Sequence, residues 1–219
     1  MSFLAVCIAA YILCVGLLPF DVFCDGPRKL FDGYSKEFLP RLNESKPVKV
    51  SFDFELITIK EVNAKEQTIT VYGWVRQSWH NPFLQWNSSE YGGIQTIQTS
   101  AKTLWVPDIL MYNNVDNQDR VGGGPTTYKT HVVMHSNGDN DWTSPALFKT
   151  VCAIDVTYFP FDMQTCSLKF GSWASGSHQL RMCPLNMTGK SNQYVDNGEW
   201  EIRRNRVEKK RCPVPLRGI

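Results

Sequence analysis

The stretch Cys152-Ala-Ile-Asp-Val-Thr-Tyr-Phe-Pro-Phe-Asp-Met-Gln-Thr-Cys166 constrains the fold more than any other part of the chain. A disulfide between its ends would close a loop with an apolar tip, Tyr158-Phe159-Pro160-Phe161. Closure of a ring of this size stabilises by about 3 kcal/mol on the chain-entropy account. Phe159-Pro160 is a candidate for a cis bond. A tip of this kind, forced outward, is unfavourable in water unless an apolar surface receives it. The loop therefore implies a partner surface.

Formation of that disulfide needs an oxidising compartment, and the N-terminus supplies a reason to expect one. From Phe3 to Phe20 the chain is uncharged and mostly apolar, and the first basic residue is Arg28. Residues 1–24 read as a secretory signal, with Val22 and Cys24 ahead of a cut at Asp25, although no Lys or Arg precedes the apolar run. A retained membrane anchor is the alternative for a run of this length. Cleavage leaves residues 25–219 with Cys152, Cys166, Cys183 and Cys212. An even number of cysteines in such a compartment favours disulfides over metal or catalytic thiols. Of the three possible pairings Cys152–Cys166 is preferred, which leaves Cys183 with Cys212. Glycosylation sequons at Asn43, Asn87 and Asn186 fit the same route.

Periodicity gives the fold class. Leu30, Phe31, Tyr34 and Phe38 fall at helical spacing between Pro27 and Pro40, predicting a short amphipathic helix. From Val48 the period becomes two, with Val50, Phe52, Phe54 and Leu56 alternating with Ser51, Asp53 and Glu55. A second strand runs from Gln67 to Trp79 after a turn at 63–66. Its Ile69, Val71, Val75 and Trp79 face one way, and Tyr72, Trp74 and Arg76 the other. Further strands are expected near 94–98, 109–112, 127–135, 147–157, 164–172, 178–183 and 199–206. The turns between them include Gly122-Gly123-Gly124-Pro125, Ser136-Asn137-Gly138-Asp139 and Thr143-Ser144-Pro145. Many short strands at this spacing predict an all-β antiparallel sandwich in one domain.

Chemistry for catalysis is missing from the motifs. There is no nucleophile elbow, zinc-protease motif or phosphate-binding lysine after the glycine run. His131 and His135 lack a nearby third ligand for a metal. No cofactor is implied, and the chain reads as a non-enzyme. The formal charge of +2 argues against a nucleic-acid partner, and the basic run from Arg203 to Arg211 reads as a solvated strand end. Tryptophans are more informative, because several large rings on adjacent loops would build a box whose faces attract a cation.

Four stretches resemble the extracellular ligand-binding domain of Cys-loop pentameric receptors, and among them the nicotinic acetylcholine receptors. They are Trp74-Val-Arg-Gln-Ser-Trp79 continuing to Leu84-Gln-Trp-Asn87, Trp105-Val-Pro-Asp-Ile-Leu-Met-Tyr-Asn-Asn114, the loop from Cys152 to Cys166, and Leu168-Lys-Phe-Gly-Ser-Trp173. Asn197-Gly-Glu-Trp200 adds a shorter match. The resemblance covers about residues 28–212. It implies an Ig-like twisted sandwich with an N-terminal helix, five subunits in a ring, and a small acetylcholine-like cationic transmitter held between neighbours.

Position by position, Tyr112 and Trp173 match the principal face, where the Trp ring stacks on the ligand's ammonium. Trp74 matches the aromatic of the complementary face, and Arg76 stands two residues on. Val133, Asp141 and Thr143 fall where complementary-face strands contact ligand. Phe159, Pro160, Phe161 and Asp162 match the tip that couples to the membrane domain.

Two departures follow. The third principal loop of acetylcholine-clasping subunits carries adjacent cysteines and tyrosines, whereas this chain has Cys212 alone among Lys209, Lys210 and Arg211. That favours a complementary role. The sequence ends at Ile219 before the last strand and the transmembrane segments of the family, so membrane attachment is expected only through a domain not present in it. A soluble acetylcholine-binding-protein-like pentamer and a truncated modulatory subunit are the alternative readings. The apolar tip favours a channel subunit over the first of these.

Overall fold

The computed structural model describes residues 29–115, 128, 130–184, 193–203, 205, 207 and 208. The expected signal segment, the glycine run at 122–124, Asn186, and the third loop with Cys212 lie outside these residues.

Two long strands form the spine. β1 (Val48–Asn63) and β2 (Thr68–His80) pair as an antiparallel hairpin, with Phe54 opposite Val75 and Glu55 opposite Trp74. The remaining strands are β3 (Thr96–Ser100), β4 (Ile109–Met111), β5 (His131–His135), β6 (Asp139–Val151), β7 (Phe170–Ser172) and β8 (Leu180–Pro184). They make a six-stranded sheet in the order β3-β5-β6-β2-β1-β8, and a two-stranded sheet of β4 and β7. All pairings are antiparallel except that of β8 with β1.

Alternation along the strands decides which face is core. On β2, Val71, Val75, Gln77 and Trp79 are buried while Tyr72, Trp74 and Arg76 are half-buried, as the period-two reading predicts. On β6, Asn140, Trp142, Ser144, Ala146 and Phe148 point inward, and Asp141, Thr143 and Leu147 outward. The two sheets meet through rings. Phe170 of β7 packs on Phe52, Phe54 and Phe148 at centroid distances of 4.9, 5.8 and 5.3 Å. Rings of this size contribute more buried apolar surface than any other residue type.

Three sequence expectations are corrected. The helical spacing between Pro27 and Pro40 overruns the helix: among the described residues Lys29 is helical, and 30–33 are turns held by Asp32 N–H to Lys29 O and Tyr34 N–H to Phe31 O. Gly33 at φ 76° takes the chain out of the helical region there. Thr143-Ser144-Pro145 is not a turn but the middle of β6, so the strand placed at 147–157 instead spans 139–151. Among the described residues the β5–β6 ladder pairs Val133 with Asp141 and Met134 with Asn140 and does not reach Pro145, so its missing N–H interrupts no described rung on that side. Residues 199–203 are not a strand either; Asn197 Oδ1 accepts from the N–H groups of Glu199 and Trp200 and curls the chain locally. The turn at Ser136-Asn137-Gly138 does form the β5–β6 hairpin, with Gly138 at φ 88°.

The loop from Cys152 is closed by its disulfide to Cys166, and Phe159-Pro160 is cis. Gln67, in the β1–β2 turn, ties the loop to the sheet. Its side-chain carbonyl accepts from Ile154 N–H at 2.7 Å, and its backbone carbonyl accepts from Cys152 N–H at 2.9 Å. Asp155 and Gln164 cross-link the neck, with Gln164 Oε1 accepting from Asp155 N–H. The tip beyond is bare, and Phe161 is 91% exposed.

Candidate functional site

Residues directly opposite one another in an antiparallel ladder share a face, so the registers of the six-stranded sheet fix which side chains meet. One rung on the outer face places Asp53 of β1, Arg76 of β2 and Thr143 of β6 side by side. The next carries Glu55, Trp74 and Pro145. On the other side of the Arg76 rung, Ser78 lies beside Asp141, which is itself opposite Val133 of β5. Trp74, Arg76, Val133, Asp141 and Thr143 are scattered over seventy residues of sequence, and pairing gathers all five on one outer face.

Charge on this face is organised around Arg76. Its guanidinium makes an ion pair with Glu55 and lies over the Trp74 ring, 5.7 Å from the centroid. Asp53 is only 8% exposed. Burial pushes its pKa above the ordinary carboxylate range; the Arg76 guanidinium pulls it back in part, and the Glu55 charge adds to the rise. Further along, Asp141 accepts from the Ser78 hydroxyl and pairs with His135 Nε2 at 2.9 Å. His80 and Asp139 form a similar pair at 2.8 Å. Together with Lys49 and Ser51 these groups line a shallow polar cavity of about 400 Å³ beside Asp141.

A second aromatic group stands on the other sheet. β4 and β7 are only three residues each, and Tyr112 and Trp173 follow directly on their ends. Leu110 is opposite Gly171 in the ladder, so Leu110, Tyr112, Gly171 and Trp173 share the face turned away from Phe170 and the core. The two rings are 6.1 Å apart at an interplanar angle of 53°. Gly171 makes this possible, since a Cβ there would lie 2.7 Å from the Tyr112 ring and hydroxyl. The Tyr112 hydroxyl donates to the Ser172 carbonyl. Asp108 fixes the chain around Trp173, accepting from the Ser172 hydroxyl at 2.5 Å and from Ala174 N–H at 2.6 Å. Trp173 is 73% exposed and Tyr112 48%.

The sequence-predicted residues therefore fall into two sets. Each occupies the outer face of its own sheet, and the phenylalanine core lies between. Glu55, Asp53, Gly171 and Asp108 are parts of these sites that sequence reasoning passed over. Asp53 and Glu55 carried a signal, because the β1 alternation already turned them away from the core. Their proximity to Arg76 depended on the hairpin register. Cys183 is unbridged among the described residues, and its expected partner Cys212 lies outside them. Asn43 and Asn87 are exposed, as glycan acceptors must be. Among the described residues no three metal-ligating side chains converge, and no helix is long and apolar enough to cross a membrane.

A β-sandwich with a disulfide-closed apolar loop and aromatic rings on both outer faces is a binding module of the receptor kind. A family profile described as the neurotransmitter-gated ion-channel ligand binding domain matches residues 27–216. The chain belongs to that family, one of channel ligand-binding domains rather than enzymes. It is 39% identical over 175 residues to neuronal acetylcholine receptor subunit beta-3 of Rattus norvegicus, covering 80% of this chain and 37% of that protein. Identity to subunit alpha-5 of the same organism is 38%, and to subunit non-alpha-2 of Carassius auratus 37%, each over 175 residues, with 80% of this chain and 37% of the relative covered. The chain thus spans little more than a third of the length of these relatives. An extracellular domain reached through the secretory pathway agrees with the Cys152–Cys166 disulfide.

Proposed function

We propose that this chain is the ligand-binding part of a nicotinic-like cation-channel subunit. In this reading it contributes its complementary face, more than its principal face, to a site for an acetylcholine-like cation between neighbouring homologous subunits of a pentamer. The observation that carries the reading is the gathering of Trp74, Arg76, Val133, Asp141 and Thr143 on one outer face by the β2, β5 and β6 registers. Because Tyr112 and Trp173 stand on the outer face of the opposite sheet, one chain cannot close both halves around one ligand. Two chains, each presenting one face, can.

Emphasis on the complementary face comes from sequence. The third-loop region offers Lys209, Lys210 and Arg211 with a single cysteine and no tyrosine, which repels a cation and leaves the Tyr112–Trp173 pair without two of its expected walls. The exposed Phe159-Pro160-Phe161 tip supports a channel subunit over a soluble binding protein, since such a surface requires an apolar receiver. Its docking partner in this reading is the membrane domain of a full-length subunit.

The test is a pentamer assembled from this domain and an acetylcholine-clasping neighbour. Trp74→Leu is expected to weaken displacement of a labelled nicotinic ligand about ten-fold, within the range for a lost cation–aromatic contact. Trp173→Leu is expected to change it less than three-fold. The reverse order would assign the principal role to this chain and overturn the proposal.

A further inference from the structure

The ring face of Trp74 is already in contact with a cation. Arg76 sits two residues along β2, on the same face, with its guanidinium carbon 5.7 Å from the Trp74 centroid, inside the range over which an aromatic face attracts a positive charge. Glu55, directly opposite Trp74, holds the same guanidinium by an ion pair. Asp53, directly opposite Arg76, adds a second carboxylate in a nearly buried position. Trp74, Glu55 and Asp53 are thus an aromatic surface flanked by two acids, which is the chemistry that receives an organic cation, and the chain supplies that cation itself. An arginine stays charged across the physiological range, so neutral or mildly acid pH does not lift it.

We propose that Arg76 is a tethered competitor: its guanidinium covers the Trp74 face until a quaternary ammonium ligand displaces it, so that this face binds such a ligand more weakly than its ring and carboxylates would allow. The proposal rests on the complementary-face reading above and deepens it. An incoming ammonium must displace Arg76 from both the ring and Glu55. When the guanidinium is removed, the same ammonium finds the ring uncovered and the charges of Glu55 and Asp53 no longer offset by Arg76. Arg76 is in this sense a determinant of specificity. It disfavours small organic cations on a surface whose other groups would attract them.

The experiment uses the purified chain and tetramethylammonium, followed at the assigned Trp74 indole signal by nuclear magnetic resonance. Arg76→Gln is expected to bind the probe at least ten-fold more tightly than the wild type, and Arg76→Lys, which keeps a tethered cation, less than three-fold more tightly. Adding Trp74→Leu to Arg76→Gln should remove the gain. If folded Arg76→Gln binds no more tightly, Arg76 does not compete. A gain that survives loss of Trp74 would place the cation on the carboxylates alone, and either result overturns the inference. Should Arg76→Gln fail to fold, Glu55→Gln loosens the guanidinium while keeping the arginine. A gain of a few-fold is then expected, and none would count against the proposal. The complementary-face reading stands or falls separately, on the effect of Trp74→Leu in the assembled pentamer.

Discussion

Trp74 and Trp173 are both candidates to meet a ligand cation, yet the chain holds them by different means. Trp74 lies midway along a thirteen-residue strand with β1 on one side and β6 on the other, and its neighbours are set by two long ladders. Trp173 follows a strand of three residues, and its position depends on Asp108 and on the absence of a side chain at Gly171. The first is a finished surface with its own counter-charges. The second is an exposed ring pair held by one carboxylate and one glycine. One region is fixed by two ladders and the other by single contacts, so the two should respond differently to substitution.

Substitutions at Gly73, on the core side of β2 next to Trp74, and at Gly171, against the Tyr112 ring, should separate the two designs most sharply. A Cβ at Gly73 would lie 2.4 Å from the Glu55 carbonyl oxygen and 2.6 Å from the Phe54 ring. Backbone in a long ladder cannot yield cheaply. Gly73→Ala is therefore expected to cost about 3 kcal/mol, at the upper end for overpacking, measured as the shift in urea midpoint. Gly171→Ala meets only the Tyr112 ring, which can swing outward. It should cost about 1 kcal/mol and chiefly separate Tyr112 from Trp173, visible as lost ring-current shifts. Equal costs would erase the distinction.

Asp108→Ala falls between these two in size. Loss of the acceptor for the Ser172 hydroxyl and the Ala174 N–H should lower stability by about 2 kcal/mol, as for other hydrogen bonds to a charged group. Hydrogen exchange should speed up around residues 171–175 and stay unchanged along β2. Spread of the effect into β2 would mean that the two regions are not independent.

The smallest effect concerns pH. Because burial raises the Asp53 pKa in the folded chain, the folded state binds more protons than the unfolded one in the window from the ordinary value of 3.8 up to the raised value. Stability contributed by this group is then fully present below that window and declines as pH rises through it. Asp53→Asn should flatten that decline in urea melts taken across the window. An unchanged slope would show that Arg76 compensates the charge completely.

How much of this was legible in the sequence differs between the regions in the same way. For β2, period-two alternation alone put Trp74 and Arg76 on the outer side, because a strand has no other way to bury Val71, Val75 and Trp79. The Cys152–Cys166 loop was equally legible, since ring closure and an apolar tip follow from residue types and spacing. Thr143-Ser144-Pro145 carries turn chemistry yet lies mid-strand, because its pairing with Arg76, Val75 and Trp74 of β2 outweighs local preference. The helical spacing past Lys29 misled too, as Gly33 weighs little in an apolar spacing pattern yet sets the backbone at φ 76°.

Local alternation, the closed loop and the types of residue available to meet a cation follow from the amino-acid order. They do so because they depend on groups a few residues apart. Tertiary structure alone decided that Glu55 and Asp53 would stand beside Arg76, that Asp108 would hold the chain at Trp173, and that the two aromatic sets would face away from each other. The reason is register: a one-residue slip in any ladder keeps every residue and reverses every face. The buried face, with Phe52, Phe54, Phe148 and Phe170 between the sheets and Val50, Val75 and Trp142 beside them, favours one register over the rest.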